Sequence, residues 1–308
     1  MNQYATVEST YSGEQFIMPT AIALGNFDGV HLGHQAVVAP ILNYPNCCPT
    51  VVTFEPHPRE FFSGQKQKSL TPTSEKVTQL KKLGITQVVL LPFDQQLAAL
   101  SGSDFVEKIL LQDLKVRCIS VGENFCFGYQ RQSTAADLEK IGSKLGIEVK
   151  VTKLKQCAEK ISSSHIRNYL LEGEITLANK MLGRSYSLTG KVVHGQKLGR
   201  TLGFPTANLE IVEEKLLPRF GVYSIKVSLE EKELLGILNI GIRPTVQGKK
   251  ESIEVHIFDW NADIYGKTLT VSLEEFIRPE IRFNSIEQLK NQIEQDCLKV
   301  KQSVKCSS

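Results

Sequence analysis

The sequence has no cysteine framework. Its seven thiols, Cys47, Cys48, Cys118, Cys126, Cys157, Cys297 and Cys306, are odd in number and irregularly spaced, with no CxxC pair. That argues against both the disulfide scaffold of small secreted domains and a zinc ribbon, and leaves reduced thiols. No apolar run approaches the roughly 18 to 20 residues that span a bilayer. The first residues carry neither a basic lead nor an apolar stretch, so no secretory signal is expected and the cytoplasm is the default location. An excess of one charge is missing too. Lys and Arg number 36 against 33 Asp and Glu, a net +3, which is too little to indicate nucleic acid or a membrane surface. No low-complexity tract or internal repeat is present. What remains is a globular chain whose positive charges can still serve small anionic ligands one site at a time, and whose oligomeric state the sequence does not specify.

The length, 308 residues, suits two domains better than one core. In the first part, short β-branched runs at residues 20–24, 50–54, 87–91, 118–122 and 147–152 alternate with amphipathic stretches at 33–42, 74–83, 103–111 and 134–145. Thr134 with Asp137 reads as a helix start, and Gly84 and Gly146 stand where helices should stop. Strands separated by helices predict an α/β doubly wound parallel sheet, in which ligands bind at the carboxyl ends of the strands. The pattern changes near 182–187. Beyond it, short strands at 187–193, 222–228, 234–240, 253–258 and 269–273 follow one another without helices, which predicts a small antiparallel β-barrel. Ser285 and Gln288 open a final helix to about residue 299. The expected domains are therefore 1–182 and 183–308.

The first strand runs directly into Gly25-Asn26-Phe27-Asp28-Gly29-Val30-His31-Leu32-Gly33-His34. Glycines here let the backbone approach phosphate oxygens, and the following helix offers oriented N–H donors at its positive end. His31 and His34, three apart, point the same way in a helical turn and could donate hydrogen bonds to a pentavalent phosphate. The pair could instead ligate zinc, although no Cys or carboxylate cluster accompanies it, or sit in a structural turn.

The second dense segment runs from Gly190 to Leu209 and contains Gly195, Gly199, Arg200 and Gly203. Glycines four apart weaken a barrel strand but suit a cationic lid whose amides cradle phosphates. No Gly-Lys-Ser/Thr follows, so it is not a Walker A loop. Thr206 and Asn208 place two hard oxygen donors on one face of a strand, which suits Mg²⁺. A Gly-Pro turn leading into a strand is the plain alternative. On the strand at 253–258, Glu254, His256 and Phe258 share one face. By itself a strand glutamate is more often solvated surface.

The first segment resembles the HxGH signature of the nucleotidylyltransferase superfamily. With its Asn-Phe-Asp-Gly lead it is similar to the adenylyltransferase module of bacterial bifunctional FAD synthetases. Matches continue through Thr53-Phe54-Glu55-Pro56-His57-Pro58, Val121 to Phe125 with Phe127-Gly128, and Ile161 to Ser164 with Ile166-Arg167. The resemblance implies that Gly25, Asn26, Phe27, Asp28 and Gly33 cradle the nucleotide and that Phe54, Pro56, Pro58, Asn124 and Phe127 line a flavin site. It assigns Ser163, Ser164 and Arg167 to the ATP phosphates, chemistry that hydroxyls and a guanidinium fork suit. Phe54 and Phe127 could equally be core. His57 reads as a loop residue rather than a base. Two positions depart from the family pattern: the loop Tyr129 to Ser133 has fewer glycines, and His165 stands where a less titratable residue is common.

The second segment resembles the riboflavin kinase signature with its Pro-Thr-Ala-Asn core. That likeness continues through Gly221-Val222-Tyr223, Asn239-Ile240-Gly241, Arg243-Pro244-Thr245, Glu254 with His256 and Phe258, Tyr265-Gly266, Ile277-Arg278 and Phe283. It implies Glu254 as the base toward a ribityl hydroxyl and Asn239 as a ligand contact, while Arg243 and Arg278 read as ion-pair scaffolding or phosphate contacts rather than catalysts. Together the resemblances cover about residues 20 to 297. They imply a bifunctional enzyme that phosphorylates riboflavin with ATP to FMN and then adenylylates FMN to FAD. Alternatives are a kinase with a weak or inactive adenylyltransferase half, and a non-catalytic flavin-binding protein.

Overall fold

In the computed structural model the described residues are 6–9, 17–153, 161–194, 203–229, 232–245 and 248–305, with the side chains of 6–9, 243–245, 248–250 and 304–305 outside that description. Two compact units divide after Ser163.

The first unit is built on strands β1 (Thr6–Ser9), β2 (Thr20–Leu24), β3 (Cys48–Glu55), β4 (Gln87–Pro92), β5 (Val116–Gly122) and β8 (Glu148–Thr152), with a two-strand hairpin β6 (Cys126–Phe127) and β7 (Ser133–Thr134) between them. The sheet order is β1-β4-β3-β2-β5-β8. Five strands are parallel, and β1 pairs antiparallel with β4. Every side chain of β2 is buried because both sheet faces are covered, which is why these strands read as unbroken apolar runs. Ala21, Ala23, Val51 and Val88 face a core with Val38, Ile41 and Leu80, while Ile22, Val52, Val89 and Ile119 face one with Val106, Leu110 and Leu138. The expected doubly wound sheet is what forms. Thr134 and Asp137 make a reciprocal capping box, and Gly146 closes that helix at φ +70°. One helix differs from expectation: Phe105–Asp113 is wound as a π-helix, with Leu114 N–H donating to the Ile109 carbonyl. Its buried residues, Phe105, Val106, Ile109, Leu110 and Leu114, recur at spacings of four and five, which fits the wider turn.

In the second unit a closed barrel has the strand order β10-β13-β12-β11-β14-β9. The strands are β9 (Tyr186–Val193), β10 (Ala207–Ile211), β11 (Gly221–Leu229), β12 (Lys232–Thr245), β13 (Gly248–Ile257) and β14 (Thr268–Pro279). Alternation sends Tyr223, Ile225, Leu238, Ile240, Val255 and Val271 into the core. The sixth strand, β10, is the one expected to carry Thr206 and Asn208; it begins at Ala207, so Asn208 lies on it and Thr206 immediately before it. The C-terminal helix Ile286–Lys305 lies on the outer wall, where Cys297 and Val300 pack on Val222, Ile237 and Phe258. Helices Ser163–Glu172 and Ile175–Leu182 also join the barrel. Asn179 donates to the Leu273 carbonyl at 2.8 Å and accepts from the Tyr186 amide at 2.7 Å. Packing thus groups 164–182 with the barrel, whereas the change from helical to strand pattern comes at 183.

Candidate active sites

In the sheet of the first unit the winding reverses between β2 and β5, and at such a switch point the loop after the central strand opens outward. That loop is Gly25 to His31. Its backbone is left-handed at Phe27 (φ +50°), Gly29 (φ +88°) and Val30 (φ +41°), costly at non-glycine positions unless the surroundings enforce it. They do. Thr71 N–H donates to Asp28 Oδ1 at 3.1 Å, Gly29 N–H to Thr71 Oγ1 at 2.8 Å, Thr53 Oγ1 to the Asn26 carbonyl at 3.1 Å and Ser163 Oγ to the Asp28 carbonyl at 2.9 Å. Gly25 allows close approach, since a Cβ there would meet the Phe27 ring at 3.3 Å. Gly33 is buried in the helix Leu32–Val38.

His31 caps that helix, its Nδ1 accepting the His34 amide at 3.2 Å. The two rings stack with centroids 3.6 Å apart and planes within 13°. His34 is only partly covered as a residue, but its Nδ1 is enclosed and has no hydrogen-bond partner. Burial, then the neighbouring His31 and Lys76 charges, hold its pKa well below the ordinary imidazole value. Asn26 Oδ1 is likewise enclosed and unpartnered. Buried polar atoms without partners are rare in folded proteins, and two in one loop mark a place built to receive hydrogen-bonding groups.

The predicted flavin residues differ in their local settings. Phe54 is half-buried, and its ring meets Phe93 edge-on at 5.7 Å. Pro58 begins the helix Pro58–Ser63, which His57 caps through Nδ1. Pro56 and Asn124 are exposed. Phe127 is buried against Phe105 and Phe125 and serves the core as well as any ligand. The turn beyond it is left-handed at Gln130 and Arg131, a backbone conformation that glycine adopts more readily than either of these residues. Two features escaped the sequence reading. Phe61 and Phe62 extend the Phe54–Phe93 pair into a four-ring cluster, with Phe62 68% exposed. Lys76 is 8% exposed, its amine pKa lowered by burial against the pull of Asp28, Glu55 and Glu60. The two threonines and the proline of Leu70-Thr71-Pro72-Thr73 were the available signal. Ser164 and Arg167 stand on the helix Ser163–Glu172, in the second unit.

In the barrel, strand register sets five side chains in one lateral row: Asn208 beside Glu254, Glu254 beside Asn239, Asn239 beside Val222 and Val222 beside Arg278. Because Val255 and Tyr223 turn inward, this row lies on the outer wall. A cavity of about 290 Å³ lies between that wall and the C-terminal helix, also lined by Phe204, Thr206, His256, Phe283 and Ile293. Ile253, Val255 and Ile257 are buried in the barrel, so Glu254 stands on the opposite face, on the outer wall beneath the helix. Thr206 Oγ1 donates to Glu254 Oε2 at 3.4 Å. His256 Nδ1 is 2.9 Å from the Pro205 carbonyl. Arg278 is a scaffold here, its Nε and Nη2 on the Asp296 carboxylate at 2.9 and 2.8 Å. Gly203 has φ +88°. Gly195, Gly199 and Arg200 fall outside the described residues, as does the side chain of Arg243, whose backbone belongs to β12. Among the described residues no cluster of three or more His, Cys, Asp or Glu could hold a metal. The oxygen set Thr206, Asn208 and Glu254 fits a hard cation that takes most of its ligands from phosphate and water.

Residues 14–165 match the family model of FAD synthetase and residues 182–304 that of riboflavin kinase. The bifunctional riboflavin kinase/FMN adenylyltransferase of Haemophilus influenzae is 38% identical over 300 residues, 94% of this chain and 96% of its own. The Escherichia coli K12 protein of the same name is 38% identical over 281 residues, 89% of this chain and 90% of its own. A crystal structure of a protein from Streptococcus pneumoniae described as a macrolide-efflux protein is 30% identical, with a TM-score of 0.84 and coverage of 93% of this chain and 95% of that one. Among the described residues of this chain no helix is long and apolar enough to cross a membrane.

Proposed function

The chain belongs to the bifunctional riboflavin kinase/FMN adenylyltransferase family, and from that premise we propose how its residues divide the two reactions. The protein is a flavin-cofactor enzyme: it phosphorylates riboflavin with ATP to FMN and adenylylates FMN with ATP to FAD and pyrophosphate.

In the barrel, Glu254 accepts the proton of the ribityl 5′-hydroxyl while that oxygen attacks the γ-phosphorus of ATP and ADP departs. The hydrogen bond from Thr206 holds the carboxylate in place, and the cavity beneath the terminal helix takes the flavin. Thr206 and Asn208 would hold Mg²⁺, which when bound neutralises phosphate charge. Gly195, Gly199, Gly203 and Arg200 are assigned to the phosphates, and Asn239 and Arg243 to ligand positioning.

In the sheet unit a phosphate oxygen of FMN attacks the α-phosphorus of ATP, and the bond to pyrophosphate breaks. Because His31 Nδ1 accepts a backbone N–H, its proton sits on Nε2 and points away from the cap. His34, kept neutral by burial, can also donate without bringing a charge that would have to be desolvated. Two imidazole donors at the α-phosphate stabilise its growing negative charge. Asn26 supplies its unpartnered oxygen to the ligand. Ser163, Ser164 and Arg167 are assigned to the outgoing pyrophosphate and Phe54, Pro56, Pro58 and Asn124 to the flavin, joined by Phe61 and Phe62. The location is the cytoplasm, which suits the free thiols Cys47, Cys48, Cys118, Cys126 and Cys297.

The observation that carries this reading is the pairing of Glu254 with Thr206 in one unit and of His31 with His34 in the other. Incubation with riboflavin, ATP and Mg²⁺, followed by chromatography, should give FMN and then FAD. Formation of FMN without FAD, from riboflavin or from FMN itself, would show the adenylyl half to be silent.

A further inference from the structure

We infer that His256 is a positioning residue of the kinase site, fixing the Phe204-Pro205-Thr206 segment so that the Thr206 hydroxyl meets Glu254. The inference rests on the barrel reading above and extends it to a residue with no assigned role.

Glu254 and His256 project from the same face of β13, two residues apart. Each holds a successive residue of one neighbouring segment. His256 Nδ1 lies 2.9 Å from the Pro205 carbonyl, and Glu254 Oε2 accepts the Thr206 hydroxyl at 3.4 Å. A carbonyl only accepts, so the His256 proton sits on Nδ1. The ring is also held between two others, edge-on to Phe204 at 5.6 Å and to Phe258 at 5.7 Å. Phe258 is 6% exposed and packed beneath the terminal helix, so the imidazole is anchored to the rigid side of the site.

The segment it grips needs such an anchor. Pro205 has no N–H to offer a ladder, and regular pairing begins only at Ala207, opposite Val255. Phe204, Pro205 and Thr206 therefore lie between the left-handed Gly203 and the first paired residue. The long 3.4 Å hydroxyl–carboxylate contact cannot alone fix Thr206. With the carbonyl before it tied to His256, the backbone that carries the Thr206 hydroxyl is held beside Glu254. A loose Thr206 would leave both the carboxylate and the phosphate-side oxygens misplaced, and a 1 Å misplacement can cost up to about 100-fold in rate.

Two variants separate the hydrogen bond from ring packing. His256→Phe keeps an aromatic between Phe204 and Phe258 and removes the donor. His256→Asn removes the ring but puts an amide N–H near the place of Nδ1. The expected result for His256→Phe is a fall in riboflavin kinase kcat of about 10- to 100-fold. Amide hydrogen exchange in a peptide covering residues 203–209 of the ligand-free protein should quicken at the same time. His256→Asn should regain at least part of both. FMN adenylylation, made by the other unit, should stay at the wild-type rate in each. Wild-type kcat and exchange in His256→Phe would overturn the proposal, as would an Asn variant no better than Phe. If the Phe variant fails to fold, the Asn variant decides, because a folded Asn protein with lost kinase rate and fast exchange contradicts the donor role. A wild-type protein that makes no FMN would strike the underlying barrel reading instead.

Discussion

The imidazoles of His31 and His34 lie face to face, centroids 3.6 Å apart, with His31 Nδ1 accepting the His34 amide. Two stacked rings at this distance cannot both carry charge without mutual repulsion, and His34 is the one whose ring nitrogen is enclosed. His34 is thus neutral in the folded protein, its pKa pushed below the ordinary 6.5 by burial and by the charges of His31 and Lys76. The unfolded chain protonates this side chain as pH falls through 6.5, while the folded chain does not. Folding stability of the first unit should therefore be complete above pH 6.5 and decline below it, until the lowered folded pKa is reached. Urea titrations from pH 5 to 8 should show this slope, and His34→Gln should reduce it. An unchanged slope in the variant would mean that His34 is protonated in the folded state.

Separate sites predict separable losses. Glu254→Gln keeps the shape and removes the base, so FMN formation should fall by roughly 10² to 10⁴ while FMN adenylylation continues. His31→Ala should do the converse, lowering adenylylation by about 10² to 10³. It also removes a helix cap, at a cost of about 1 kcal/mol, so its melting curve belongs beside its rate. Loss of both activities from either change would contradict two independent sites.

The five parallel strands of the first unit were legible because burial on both faces writes apolar runs, and Thr134, Gly84 and Gly146 punctuate them; the edge strand β1 and the short hairpin were not. The HxGH loop was legible because its residue types are rarely found together. Other features are not local in sequence. That Asn208, Glu254, Asn239 and Arg278 form one row follows from register across five strands, which no single strand records. Lys76 looks like any surface lysine of an amphipathic helix until Thr71 and Thr73 tie its helix to Asp28 and Glu55. The helices at 163–182 lie on the first side of the pattern change yet hold on to Leu273 and Arg219 of the barrel.

Phe62 is 68% exposed while its ring meets Phe93 at 5.8 Å and Phe61 at 5.3 Å. A large exposed aromatic on an aromatic base is a stacking platform for a flat ring. Phe62→Ala should raise KM for FMN in adenylylation by up to about tenfold, the worth of one aromatic contact. KM for ATP and the kinase reaction should not move, and stability should change little because the side chain is already in solvent. A shift in riboflavin KM of the kinase would sink this assignment.

Arg278 and Asp296 tie β14 to the C-terminal helix, and the pair is well shielded, with side-chain exposures of 15% and 4%. Gln292 adds a bond to the same carboxylate at 3.0 Å, and the Phe283 ring lies 5.9 Å from the guanidinium. Removing the arginine alone strands a carboxylate out of water, which in comparable buried pairs costs about 3 to 5 kcal/mol. Arg278→Met should therefore lower the unfolding free energy of the barrel unit by that order and leave the first unit's transition in place. Replacing both partners, Arg278→Met with Asp296→Leu, removes the stranded charge and should recover most of the loss. If the double variant is as unstable as the single one, the damage comes from packing under the helix rather than from an unpaired carboxylate. The helix would then be held by Val300 and Cys297 against Val222 and Phe258, with the ion pair contributing only its orientation over the cavity.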